Sequence, residues 1–173
     1  MPNKRGIGSH TLPNQGATDD WITPKYIIDE LGPFDLDPCQ SLTQPWPCAN
    51  KGYTITDDGL AQKWRGFVYV NSPYSRVQPF MERLAEHKQG LGLLFGRTET
   101  KMFSEHIWQE ATALFFLAGR LTFYRPDGTK AQGNSGGPSV IVAYGDKAVE
   151  RLRKCKLPGA FVTQWEFRAA GVN

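Results

Sequence analysis

Phe67-Val68-Tyr69-Val70-Asn71-Ser72-Pro73-Tyr74 is the stretch on which the fold reading turns. Its first half is apolar, β-branched and aromatic, the composition of a buried strand. It stops abruptly in an amide, a serine, a proline and an aromatic ring. Beyond it, Val77, Phe80, Met81 and Leu84 recur at helical spacing, which predicts a helix over 77–87. Strand, turn and helix in this order belong to an α/β sheet. Ligand chemistry in such sheets sits outside the carboxyl ends of the strands. Asn71 and Tyr74 are therefore predicted to project together into a site.

The residue types at 71–74 suit a planar exocyclic amine such as that of adenine. This amine is a poor nucleophile because its lone pair is conjugated into the ring. Accepting its two N–H bonds favours a tetrahedral nitrogen and stabilises the charge that develops there. Asn71 offers its side-chain oxygen and Ser72 its main-chain carbonyl. Pro73 restricts Ser72 to extended backbone and so aims that carbonyl. Tyr74 offers a face for stacking. As a bare tetrapeptide the stretch also reads as a strand-to-helix turn, since Asn, Ser and Pro are turn formers. The buried strand before it and the helix after it favour the site.

Working outward, Thr23 is predicted to cap a helix with Pro24 at its first position. Tyr26, Ile27, Ile28 and Leu31 line that helix, which ends at Gly32-Pro33. Residues 34–37 read as a short strand stopped by Pro38, and residues 52–55 as a weak one. Further strands are predicted at 91–95, 113–117, 121–124, 140–144 and 161–167, and helices at 101–108 and 146–154. Strands alternate with helices early and group together late, which predicts an α/β sheet with an antiparallel end. The segments 39–58 and 127–137 are long for loops of a compact domain, a property of functional loops. Residues 1–18 lack periodicity and read as a flexible arm; residues 19–173 read as a single domain.

The 173 residues, 40% hydrophobic and 21% charged, suit one soluble domain. No apolar run reaches the length of a membrane span, and residues 1–15 lack the apolar centre of a signal peptide. A cytoplasmic protein is expected, with no membrane partner. The three cysteines, Cys39, Cys48 and Cys155, have no CxxC spacing. They read as reduced, mostly buried thiols, with no metal site. A formal charge of +3 permits a polyanionic partner without requiring one.

Asn71-Ser72-Pro73-Tyr74 resembles the N/D-P-P-Y motif of amino methyltransferases acting on DNA adenine. Asp20-Trp21-Ile22-Thr23-Pro24 resembles the D-x-W-x-T-P opening of small phage-encoded, Dam-type adenine-N6 DNA methyltransferases. Residues 34–39, Phe-Asp-Leu-Asp-Pro-Cys, resemble their F-x-L-D-P segment. Asp57-Asp58-Gly59-Leu60 with Trp64 is similar to their D-G-L-x-x-x-W. Arg97-Thr98-Glu99-Thr100, Gly119-Arg120-Leu121-Thr122-Phe123 and Gly137-Pro138-Ser139 resemble later blocks. The likeness runs in order from about residue 19 to 145. Its clear departure is Ser72 where the family usually has Pro, which leaves the carbonyl and gives up one fixed φ.

The resemblance implies a class I methyltransferase fold, a Rossmann-like sheet with an antiparallel end. It implies transfer of a methyl group from S-adenosylmethionine to adenine N6 in double-stranded DNA, the target base being flipped out. Asn71, Ser72, Pro73 and Tyr74 are then catalytic. Trp21, Thr23, Pro24, Asp37, Pro38, Cys39, Asp58, Gly59 and Leu60 are the implied cofactor set. Asp37 in particular is expected to anchor the polar methionine end, at the switch point of the sheet. Thr23 as a helix cap, Asp37 as a surface turn and Asp58 as a type I turn are the plainer readings. Arg76, Arg97, Lys101 and Arg120 follow strand ends and read either as a DNA-phosphate rim or as scattered solvated charges. A phage origin and protection of phage DNA from host restriction are also implied. Two other readings stand beside this one: N-methylation of RNA or of protein glutamine, and a non-catalytic nucleic-acid binder that keeps the fold. The sequence sets neither a recognition motif nor an oligomeric state.

Overall fold

The computed structural model describes residues 19–169, so the arm expected over 1–18 lies outside the described residues. Helix α1 spans Lys25–Leu31, and strands β1 and β2 are the short pairs Leu36–Asp37 and Lys51–Gly52. Strand β3, Val68–Val70, leads through a 3-10 turn, Tyr74–Arg76, into helix α2, Val77–His87. Strand β4, Gly90–Phe95, is followed by a π-helix, Phe103–Trp108, and strand β5, Ala113–Leu117. Strand β6, Ser139–Tyr144, helix α3, Asp146–Lys154, and strand β7, Gly159–Val162, complete the order.

The strands form one seven-stranded sheet in the order β2-β1-β3-β4-β6-β5-β7. Strands β2, β1, β3 and β4 are mutually parallel. Strand β6 runs antiparallel to both β4 and β5, so β4 and β5 point the same way. Strand β7 pairs antiparallel with β5. The expected antiparallel end is present. The chain leaves β1 toward β2 and returns on the other side of β1 as β3. A crevice opens between connections that depart in opposite directions. Asp37, at the end of β1, and Asn71, just past β3, both lie there.

Alternation along the strands builds a core on each face of the sheet. Phe67, Tyr69, Leu91, Leu93, Phe115 and Ile141 pack with Ile27, Leu31, Ala148 and Leu152 of α1 and α3. Val68, Val70, Leu114, Val140 and Val142 pack with Phe80, Met81, Leu84, Phe103 and Ile107 on the other face. Gly92 allows α2 to settle closely, because a Cβ there would lie 2.9 Å from Met81 Sδ.

Several expectations are corrected. Residues 121–124 alternate like a strand, with Leu121 and Phe123 buried. They form only two isolated bridges, from Tyr124 to Ile22 and to Lys130, because β7 occupies the open edge of β5. The last strand is Gly159–Val162 rather than 161–167; beyond it Trp165 donates its indole N–H to the Trp108 carbonyl at 2.8 Å. The segment 101–108 is helical but becomes a π-helix from Phe103. Thr23 does not cap α1, which begins after Pro24 without a side-chain cap. Tyr26, expected on the core face, is 57% exposed. Of the thiols only Cys48 is buried; Cys39 and Cys155 are half-buried. No helix among the described residues is long and apolar enough to cross a membrane.

Candidate active site

Asp37 closes β1 with only 5% of its surface exposed. Its Oδ1 accepts the Cys39 N–H at 3.0 Å, and no cation among the described residues forms an ion pair with it. Burial pushes its pKa up to about 6; the Cys39 N–H opposes this, and nearby Asp20 adds to it. Desolvation of the charged form is the physical cause. A buried carboxyl at a strand end, without a protein cation, is a receptor for a cationic or hydroxyl-bearing ligand. Trp21, Thr23, Asp37, Cys39, Asn71 and Pro73 all face one cleft there.

An extended strap, residues 19–23, runs alongside β3 and its turn. The Thr23 hydroxyl meets the Tyr69 hydroxyl at 2.7 Å. The Trp21 carbonyl accepts from Asn71 Nδ2 at 2.7 Å. Asp19 accepts from the Tyr74 and Ser75 N–H groups, each at 3.0 Å, and from the Ser75 hydroxyl at 2.5 Å. Alternate residues of the strap thus hold successive positions of the strand and turn, as the two-residue period of extended backbone requires. Between them, Ile22 pairs its backbone with Tyr124 on the opposite side.

The bond to Trp21 fixes the Asn71 amide. A carbonyl can only accept, so the amide must present its nitrogen to it. The Asn71 oxygen is then the group left for a ligand, and no described donor occupies it. Ser72 is buried, and Pro73 sits at φ −51° and ψ 137° before the 3-10 turn. No acceptor among the described residues takes the Ser72 N–H. Ser72→Pro therefore removes no hydrogen bond and stiffens the turn. Of the methyl transfer that the resemblance implies, the variant is expected to keep a rate within about threefold of the parent or higher. Loss of activity in a folded Ser72→Pro protein, measured with labelled methyl donor, would assign the hydroxyl a role of its own.

Tyr74 stacks on Phe95, with ring centroids 4.3 Å apart and planes 9° apart. That gap holds no further ring, so a second stacking partner would have to meet the opposite face of Tyr74. Gly137 lies behind Phe95, where a Cβ would approach the ring to 3.6 Å. Burial, with Asp19 close by, pushes the Tyr74 phenol well above its ordinary pKa. The side chain is a neutral ring and does not act as a base.

Other predicted site residues have definite places. Pro24 and Pro38 are buried next to the cleft-facing Thr23 and Asp37. Gly59 packs on Pro38, where a Cβ would fall 1.8 Å from the carbonyl oxygen. The Gly59 carbonyl accepts the Trp64 indole N–H at 2.8 Å, which accounts for the spacing of Gly59 and Trp64. Leu60 is partly buried against the second core. Asp58 adopts φ 50°, faces outward and lies 4.0 Å from Arg76. None of the three residues 58–60 faces the cleft that holds Asp37.

Arg76, Arg97, Lys101 and Arg120 are all exposed. They follow β3, β4 and β5, whose carboxyl ends share one edge. Lys101 pairs with Glu105 at 3.5 Å, and Arg120 reaches the Ser135 carbonyl at 3.4 Å. Sequence reasoning missed Asp19 and Phe95. The D-x-W-x-T-P spacing places its first acid at Asp19, one residue before Asp20, and that register was the available signal. Nothing local marks Phe95, the last residue of β4, as the backing of Tyr74.

The sequence model of the family described as DNA N-6-adenine-methyltransferase (Dam) matches residues 8–154. The chain belongs to this family. No curated protein and no solved structure matches it. Membership in the Dam family makes the chain an enzyme that methylates adenine N6 in DNA.

Proposed function

We propose that the cleft at the ends of β1 and β3 binds S-adenosylmethionine, and that Asn71, Ser72, Pro73 and Tyr74 receive a flipped adenine beside it. When bound, S-adenosylmethionine would supply a methyl group on sulfonium sulfur, whose neutral thioether is a leaving group that needs no acid, while one proton of N6 is given up to solvent. Asp37 offers a carboxylate to the ammonium of its amino-acid end, and Trp21, Thr23 and Cys39 wall the same cleft. Asn71 Oδ1 and the Ser72 carbonyl accept the two N–H bonds of N6, while the face of Tyr74 opposite Phe95 stacks the base. The chain's contribution is chiefly orientation, which is worth several kcal/mol in well-aligned reactions. The single observation that carries this reading is the Asn71 amide, turned by Trp21 so that no donor among the described residues takes its oxygen.

The parallel block β2-β1-β3-β4, followed by a reversed β6 inserted between the co-directional β4 and β5, supports a class I methyltransferase fold. Residues 19–173 are read as one such domain, acting in the cytoplasm of a host cell to mark phage DNA against restriction. The experiment is methylation of genomic DNA with S-adenosylmethionine, read by sequencing that detects N6-methyladenine. Methyladenine spread over many contexts, with one to a few preferred neighbours, is the expected pattern. Methylation of RNA or protein with DNA unmodified would overturn the reading.

DNA is proposed to lie on the edge that carries Arg76, Arg97, Lys101 and Arg120. An irregular hairpin rises from this edge after β5. Ser135 N–H donates to the Leu121 carbonyl, Ala131 N–H to Phe123 and Arg125 N–H to Thr129. Its tip exposes Arg125 and Lys130. Tyr124 anchors it to Ile22 and meets the Trp46 ring edge-on at 5.0 Å. Neutralising one phosphate contributes about 0.9 to the slope of log affinity against log salt. Removing both tip cations, Arg125→Ala with Lys130→Ala, is expected to make that slope shallower by about 1.8. Binding of S-adenosylmethionine alone should be unchanged, and fluorescence anisotropy across a salt series measures the slope.

A further inference from the structure

Asp19 makes three hydrogen bonds to two consecutive residues of the turn, and its partners lie 55 and 56 positions away. They are the backbone N–H groups of Tyr74 and Ser75 and the Ser75 hydroxyl. The two N–H groups fix the peptide planes on both sides of the Tyr74 Cα. The planes fix where the Tyr74 Cα–Cβ bond points, and Phe95 stacks against one face of its ring. The turn itself has weak internal support, the Arg76 N–H reaching back to the Pro73 carbonyl at 2.9 Å. No side chain of its own caps it. A carboxylate accepting N–H bonds is among the stronger neutral-to-charged contacts.

We infer that Asp19 is a positioning residue for methyl transfer, holding Tyr74 where the target adenine must stack. This rests on the catalytic assignment of residues 71–74 above. Asp19 lies at the cleft proposed for the cofactor, but both of its carboxylate oxygens are engaged by Tyr74 and Ser75, and it acts through the turn. Through the strap it also joins the turn to the cleft, since Trp21 and Thr23 in the same segment hold Asn71 and Tyr69. A misplacement of about 1 Å in a reacting group costs on the order of 100-fold. Asp19→Ala is expected to slow single-turnover methylation by about 10- to 100-fold, on that scale. The KM for S-adenosylmethionine should stay within about threefold, because Asp37 is left in place.

The decisive measurement is a double-mutant cycle with Tyr74→Ala, read as the single-turnover rate on DNA. If Asp19 acts by placing Tyr74, the double variant is no slower than about twofold below Tyr74→Ala alone. Losses that multiply would overturn the inference and make Asp19 a contributor to general stability. Asp19→Glu, which keeps the carboxylate, is expected to recover more rate than Asp19→Ala; equal rates in the two would also overturn it. Should Asp19→Ala unfold, Asp19→Asn takes its place in the cycle, since it keeps one acceptor oxygen. Failure here is distinct from failure of the catalytic reading. In the first case the parent methylates DNA and Asp19 variants match it; in the second Asn71 and Tyr74 variants match it too.

Discussion

Asn71→Ala is expected to lower the rate of methyl transfer by about 100-fold or more, the usual cost of deleting one preorganised transition-state partner. The amine of adenine becomes nucleophilic only as its nitrogen turns tetrahedral, and an acceptor on its N–H bonds strengthens as positive charge develops. That acceptor is held in place before the base arrives, because Trp21 accepts from the Asn71 nitrogen at 2.7 Å. Alanine removes the oxygen and leaves the Trp21 carbonyl without its donor. Asn71→Asp keeps an acceptor but has no N–H for Trp21, so it should retain more activity than Asn71→Ala. S-adenosylmethionine affinity, measured by calorimetry, should stay within a few-fold in Asn71→Ala. Full activity in this variant would remove residues 71–74 from the mechanism.

The parts of the fold that could be read in the sequence are those fixed by contacts close in the chain. Val77, Phe80, Met81 and Leu84 sit on one helix face, and helix α2 has the predicted bounds, Val77–His87. The unbroken apolar, β-branched and aromatic run from Phe67 to Val70 identified β3 because both of its faces are buried. Alternation at Leu121 and Phe123 misled, since periodicity records burial of side chains and not the presence of a free strand edge. Residues 163–167 fail for a related reason: Trp165 is satisfied by Trp108 outside the ladder. At the site, residues near strand ends could be placed from sequence, and Asp37, Asn71, Trp21, Thr23 and Cys39 do share one cleft. Side-chain partners far along the chain could not. Thr23 has the local signature of a cap, yet its hydroxyl is taken by Tyr69, 46 residues on. Asp19 is marked only by the register of the D-x-W-x-T-P opening, and its partners, Tyr74 and Ser75, lie 55 and 56 residues on.

Asp37→Asn should make the protein more stable and a poorer binder of its cofactor. The folded-state pKa of Asp37 is raised from 3.8 to about 6, chiefly by burial. A raised carboxyl pKa means that the native state holds its proton more tightly than the unfolded chain does. Stability therefore falls as pH rises through the window between those two values and stays lowered above it. At about 1.4 kcal/mol per pKa unit, the charged carboxylate costs the free protein on the order of 3 kcal/mol near neutral pH. Asparagine removes that cost. Its unfolding free energy should exceed the parent's at pH 7.5 and approach the parent's as pH falls below 3.8, where Asp37 becomes protonated in both states. Binding should move the other way. A hydrogen bond to a charged group is worth about 1.5 to 3 kcal/mol, so S-adenosylmethionine affinity should fall by about 10- to 100-fold in Asp37→Asn. In the parent, affinity should weaken as pH drops through about 6, where the carboxylate takes up its proton. Arg97→Ala, on the exposed edge, should change neither quantity and serves as the control. Denaturant melts and calorimetry at two pH values separate the two effects. An Asp37→Asn protein that binds S-adenosylmethionine like the parent would move the cofactor away from the end of β1, whatever its stability.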